Sequence, residues 1–213
     1  MVNPGLALEN ITTTYNVLEF ARNNNIKRVI FSSSREAYGN KKEIVSKETD
    51  VNIQLCESPY AASKISDEVL IYSFLKCYGI DYVVCRFSNV YGMYDQSERF
   101  IPLMLRKMKK NEKIEIFGKD KILDFTYIDD CIQGVILCIE KFDKVKNNTF
   151  NIASGKGDKL IDAAKIIKEN LQSKSQIVIG KNRQGEVVKF IADISKAKKM
   201  LGYEPKYNLK DSF

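Results

Sequence analysis

The sequence predicts an α/β fold built on a parallel sheet, and two observations carry the prediction. Short β-branched or aromatic runs alternate with helical stretches long enough to cross over between parallel strands. The run DYVVCRF (81–87) is nearly all apolar, as a strand covered on both faces must be.

The elements follow in order. Residues 6–24 (LALENITTTYNVLEFARNN) place apolar side chains near helical spacing and end in asparagines that stop a helix. RVIFSS (28–33) reads as a buried strand, and a polar loop runs on to about Pro59. Residues 60–78 read as a helix with Ile65, Val69, Leu70, Phe74 and Leu75 on one side and Gly79 as its C-cap. After strand 81–87, residues 99–111 read as helix and 113–117 as strand. A helix over 129–141 opens with Asp129 and Asp130, and TFNIAS (149–154) is a strand. Residues 159–172 are helical, 176–180 form a strand, and a short helix over 193–201 stops at Gly202. Gly155-Lys156-Gly157 reads as a turn, and a composition shift near 141–158 hints at a second lobe.

Composition narrows the chemistry. The 213 residues are 44% hydrophobic and 29% charged, which suits a folded domain with a sizeable core and excludes a disordered or collagen-like chain. No apolar run approaches the ~18–20 residues that span a bilayer, and the first residues lack the pattern of a signal peptide, so no membrane association is expected. Five cysteines stand singly, without a CxxC pair, and read as reduced thiols of a cytoplasmic protein. Histidine is absent, which removes Ser/His/Asp and Cys/His catalysis and argues against zinc; no metal is expected. Residues 1–140 carry 18 basic and 19 acidic side chains, and residues 141–213 carry 16 and 8, so the net charge of +7 is C-terminal. No nucleic-acid motif accompanies it. The charge reads as a solvated lysine-rich surface, with an anionic small ligand such as a nucleotide diphosphate as the alternative.

Three features carry chemistry. Ser32-Ser33-Ser34 closes a strand, where ligands bind in open α/β sheets. Tyr60 and Lys64 share one face in the first turn of a helix. Arg86-Phe87-Ser88-Asn89-Val90-Tyr91-Gly92 leads the next strand into a loop. A free phenol, with a pKa near ~10, is no base at neutral pH, but an ammonium one turn away favours the phenolate. A neighbouring serine hydroxyl can hold a substrate alcohol. In a chain without histidine, Tyr60 is the best available general base. Tyr and Lys recur by chance at this spacing, so the pair gains weight only from the serine cluster and from Asn89.

With these motifs the sequence resembles the extended short-chain dehydrogenase/reductase family of NAD-dependent nucleotide-sugar epimerases and dehydratases. The resemblance rests on FSSSREAYG (31–39), SPYAASK (58–64), RFSNVYG (86–92), IFGKDKILDFTYIDD (116–130), ENITTTYNVLEFA (9–21) and the C-terminal pattern of 182–205. It implies a Rossmann-like parallel sheet over residues 1–92. A smaller α/β substrate lobe would follow over 93–213, with segments near 126–154 returning to the first domain. It implies NAD as cofactor and a UDP-sugar as the favoured substrate. Catalysis would fall to Ser34, Tyr60 and Lys64. Asn10, Ser32, Tyr60, Lys64 and Ser88 would line the cofactor. Ser34, Glu36, Asn89, Phe117 and Arg183 would meet the substrate, Phe117 against the base and Arg183 on phosphate.

The chain departs from the family in three places. No GxxGxxG phosphate loop is present, so the first strands of the sheet are expected to be missing and the chain to be a fragment that binds NAD weakly. The resulting exposed edge and apolar faces imply either a homodimer, through helices 6–24 and 60–78, or a complementing N-terminal chain. Leu123 stands where many relatives carry a phosphate-binding arginine, a contact that would pass to Lys119 or Lys121. Arg35 and Glu36 follow Ser34, where 4,6-dehydratases usually carry an acid and a glutamate. This favours 4-epimerisation over dehydration. Reduction, or binding without catalysis, stays open.

Overall fold

The computed structural model describes residues 3–181, 187–210 and 212. In chain order the elements are α1 (Gly5–Asn23), β1 (Arg28–Ser34), β2 (Val45–Ser46), α2 (Pro59–Tyr78), β3 (Asp81–Phe87) and β4 (Asn89–Tyr91). Next come α3 (Phe100–Lys109), β5 (Ile114–Phe117), β6 (Ile122–Leu123), β7 (Phe125–Tyr127), α4 (Ile128–Glu140) and α5 (Phe142–Val145). The chain continues with β8 (Asn148–Ile152), β9 (Asp158–Lys159), α6 (Leu160–Asn170), β10 (Ile177–Gly180), β11 (Ile191–Ala192) and α7 (Ser195–Leu201).

The main sheet is parallel, in the order β1-β3-β8. β1 runs in register with β3 from Arg28 opposite Asp81 to Ser34 opposite Phe87, so the two strands end side by side. Alternating side chains serve the two faces. Val29, Phe31 and Tyr82 pack with Leu18, Ala21, Ile71 and Phe74 under α1 and α2. Ile30, Val83, Cys85 and Phe87 pack with Cys138, Phe150, Leu201 and Tyr203 under α4 and α7. Both faces of β3 are therefore buried, which explains its almost wholly apolar sequence. Among the described residues β1 pairs only with β3.

A third cluster, including Met104, Met108, Ile114, Ile116, Ala163, Ile167 and Phe190, forms a separate core. Short two-stranded pairings surround it: β10 with β5, β11 with β2 and β4 with β7 are parallel, and β6 with β9 is antiparallel.

Local chemistry sets the helix ends. Ser58 caps α2 by accepting a hydrogen bond from the Ala61 N–H at 3.1 Å, and Pro59 opens its first turn. Gly79 ends α2 in the left-handed conformation, as expected for its C-cap. The buried face of α2 differs from the expected apolar stripe. Ala61, Ser63, Asp67, Glu68, Ile71 and Phe74 face inward, while Val69 is exposed. Polar residues are turned in because charged partners wait there, as the site shows. The two-residue pairings and the one-turn α5 lie outside the expected elements, being too short to carry a periodic signal. Among the described residues no helix is long and apolar enough to cross a membrane.

Candidate active site

The serine strand ends in a tight turn. Ser34 leaves β1 in an extended conformation and caps a short 3-10 helix over Arg35–Tyr38, its Oγ accepting the Glu36 N–H at 3.2 Å. The turn is pinned at its far end by Tyr38, whose buried hydroxyl donates to Asn151 Oδ1 at 2.6 Å and whose ring stacks on Phe190. Ser34 is thus a strand-end hydroxyl on a fixed backbone.

The first turn of α2 faces the same strand. Lys64 Nζ donates to the Ser32 carbonyl at 3.0 Å and lies over the Phe31 ring. Burial pulls the Lys64 ammonium below the ordinary lysine range, against the pull of the Asp67 and Glu68 carboxylates. Tyr60 leaves its ring 43% exposed at the start of the helix. Asn10 of α1 donates to Ser63 Oγ at 3.1 Å, and Ser63 donates to the Tyr60 carbonyl at 2.8 Å, which fastens α1 to this turn. Asn10, Thr14, Ser32 and Lys64 line one cavity of about 250 Å³ between α1 and β1. The structure therefore brings Asn10, Ser32 and Lys64 together.

A second group forms at the neighbouring strand end. Ser88 Oγ and Asn89 Nδ2 both donate to the Asp124 carbonyl. Arg35 Nε donates to Asn89 Oδ1 at 3.2 Å, and Arg35 Nη2 pairs with Glu36 at 2.8 Å. Arg35 so links Glu36 and Asn89. Phe117 lies half-buried at the end of β5, opposite Gly180 of β10. Arg183 lies outside the described residues. Leu123 turns into the core, and Lys121 is buried too, which leaves Lys119 as the exposed lysine of that stretch.

Three residues of the site escaped sequence reasoning. Arg86 and Glu68 form a buried ion pair behind Ser33, and Asp67 is buried beside Lys64 at 3.9 Å from its Nζ. Among the described residues neither Asp67 oxygen makes a hydrogen bond of ordinary geometry, although the Thr14 hydroxyl lies near enough to act on the carboxyl. Burial raises its pKa, with the Thr14 hydroxyl and the Lys64 ammonium pulling the other way. A lone arginine in an otherwise apolar strand was the available signal for Arg86; Asp67 carried none. Among the described residues no group of three or more acidic or cysteine side chains could hold a metal ion.

The family model described as the NAD dependent epimerase/dehydratase family matches residues 2–153. An uncharacterised UDP-glucose epimerase of Bacillus subtilis is 30% identical over 206 residues, covering 96% of this chain and 64% of that protein. The UDP-glucose 4-epimerase of Thermotoga maritima, solved with UDP-glucose, superposes with a TM-score of 0.89 at 32% identity, over 99% of this chain and 69% of the other. The UDP-glucuronic acid 4-epimerase of Bacillus cereus, solved with UDP-glucuronic acid and NAD, gives a TM-score of 0.89 at 29% identity, over 95% of this chain and 64% of the other. The chain spans about 60–66% of the length of the first curated relatives it matches. With residues 2–153 matched, well over half of its length, the chain belongs to the NAD-dependent epimerase/dehydratase family.

Proposed function

We propose that the protein serves nucleotide-sugar epimerisation at carbon 4, with a UDP-hexose as substrate. One observation carries the reading. Lys64 is anchored on the Ser32 carbonyl in the helical turn that bears Tyr60, beside the strand end that presents Ser34. Tyr60 would remove the proton from the sugar 4-hydroxyl, and Ser34 would hydrogen-bond the reacting oxygen. Lys64 would keep the phenol ionisable and hold a ribose hydroxyl. Asn89 would meet the diphosphate, Phe117 the base, and Arg183 a phosphate.

The residues present fit one end of NAD. The Asn10 amide, the Ser32 hydroxyl and the Lys64 ammonium line a single cavity with donors suited to a ribose and a carboxamide. Ser88 would border the nicotinamide side. When bound, NAD would accept a hydride from carbon 4 and return it to the opposite face of the sugar. Among the 213 residues no GxxGxxG loop serves the pyrophosphate, so weak NAD binding by the chain alone is expected. Isothermal titration checks this, and nanomolar affinity would refute it. A homodimer through α1 and α2 is supported by exposed Leu8, Val17, Phe20 and Val69 on these helices. The open edge of β1 equally suits a complementing chain that bears the phosphate loop.

The activity is tested by incubating the protein with NAD and UDP-glucose, alone and with such a chain supplied, and following carbon 4 by NMR. Inversion that disappears in Tyr60→Phe is the expected result. A stable 4-keto-6-deoxy product would show a dehydratase instead.

A further inference from the structure

We propose that Arg35 makes the site selective for a nucleotide sugar with a carboxylate at carbon 6, a UDP-hexuronate. The inference rests on the epimerase reading of Ser34 and Asn89 and deepens it.

Arg35 sits directly after Ser34 and is tied by Nε to Asn89. Its backbone therefore adjoins the residue that would hold the 4-oxygen, and its guanidinium reaches the amide that would meet the diphosphate. Its side chain is only 11% exposed. The Phe190 ring backs the guanidinium at 5.7 Å from Cζ, and Glu36 takes Nη2. Nη1 is buried and, among the described residues, has no hydrogen-bond partner. A guanidinium carries five N–H donors in a fixed fork, and an unsatisfied Nη1 in a dry site costs free energy that an anion reaching it would recover. Only the substituents on carbons 3 and 5 flank carbon 4 of a hexose. Beside Ser34, then, the group within reach is a 3-hydroxyl or the carbon-6 substituent. Of the forms carbon 6 takes, the planar carboxylate matches the fork. Glu36 shares the guanidinium and opposes a second carboxylate, so it tunes the preference downward.

Calorimetric titration of the protein with UDP-glucuronate, UDP-glucose and UDP tests the idea. UDP-glucuronate is expected to bind at least about tenfold tighter than UDP-glucose, a difference of ~1.4 kcal/mol. Arg35→Gln should abolish that ratio and leave UDP binding unchanged, while Glu36→Gln should widen it. Arg35→Lys, which keeps the charge without the fork, should retain part of it. Equal binding of the two sugars by the unaltered protein would overturn the inference and leave the epimerase reading standing. Loss of UDP affinity in Arg35→Gln equal to the loss for UDP-glucuronate would assign the guanidinium to the diphosphate and overturn it too. Failure of all three ligands to bind would remove both the inference and the reading beneath it. Circular dichroism of each variant separates loss of binding from loss of fold.

Discussion

Arg86 grips Glu68 through both Nε and Nη2, at 2.9 and 2.6 Å, in a pair closed to solvent. Further partners surround the pair. Ser33 Oγ and the Tyr72 hydroxyl donate to Glu68, and Arg86 Nη1 donates to the Glu48 carbonyl and the Tyr38 hydroxyl. The network joins β1, β3, α2 and the turn after Ser34, so it fixes the backbone on which the proposed catalytic groups stand. A buried pair of this kind need not add net stability over apolar packing, but breaking it strands a charge.

Glu68→Gln should therefore cost about 3–5 kcal/mol in urea unfolding, because Arg86 stays cationic without a counter-charge. Burial pulls the Glu68 carboxyl up, but the Arg86, Ser33 and Tyr72 contacts outweigh it and hold the pKa below the usual value. A depressed acid stabilises the fold above its unfolded pKa, and the contribution fades as pH falls through the folded one. The variant should lose its disadvantage on acidification below about pH 4.3. A constant gap across that range would refute the assignment.

Asp67 has the opposite sign. Its raised pKa favours the protonated form in the fold, so its contribution is largest below the ordinary carboxylate pKa and is lost as pH rises through the raised one. Asp67→Asn should stabilise the protein at neutral pH, because the amide needs no charge buried there. The gain should shrink as pH falls. Thermal melts of the two proteins at several pH values measure it, and a less stable variant at neutral pH would contradict the reading.

The turn after Ser34 has a sharper constraint. Gly39 has φ +61°, and a Cβ there would stand 1.7 Å from the Leu55 carbonyl oxygen. Gly39→Ala should destabilise by well over ~1 kcal/mol, since both the left-handed backbone and the close approach oppose a side chain. Urea midpoints decide it. A neutral result would mean that the loop bearing Leu55 moves away without cost.

What the sequence disclosed follows from how each feature is encoded. The helices and principal strands were legible because burial writes a pattern into them: β3 is almost wholly apolar since helices cover both its faces. Ser34, Tyr60 and Lys64 stand out in the sequence because the chemistry proposed for them depends on local spacing. The short pairings β4 with β7 and β6 with β9 were not legible, since two or three residues hold no period and only tertiary packing selects them. The inward face of α2 was misjudged for a related reason. Ile65 and Val69 look like core from composition, yet Glu68 faces inward because Arg86, 18 residues on, waits across the sheet. Such a partner is invisible to a window one helix long.

Lys64 offers the most direct test of whether the buried charges beside Tyr60 act as a unit. Its ammonium is the cation nearest Asp67, at 3.9 Å, and it donates to the Ser32 carbonyl. Lys64→Met keeps the length of the stem, relieves the burial of one charge and exposes Asp67 to the full cost of another. The single variant should therefore destabilise at neutral pH, and adding Asp67→Asn should restore most of the loss. Coupling in the double-mutant cycle should fall within about 0.5–3 kcal/mol, as for groups in contact. Additive effects would mean that Asp67 is already protonated when Lys64 is present. The two residues would then stand as neighbours without an electrostatic link, and the carboxylate would have no part in setting the Lys64 ammonium.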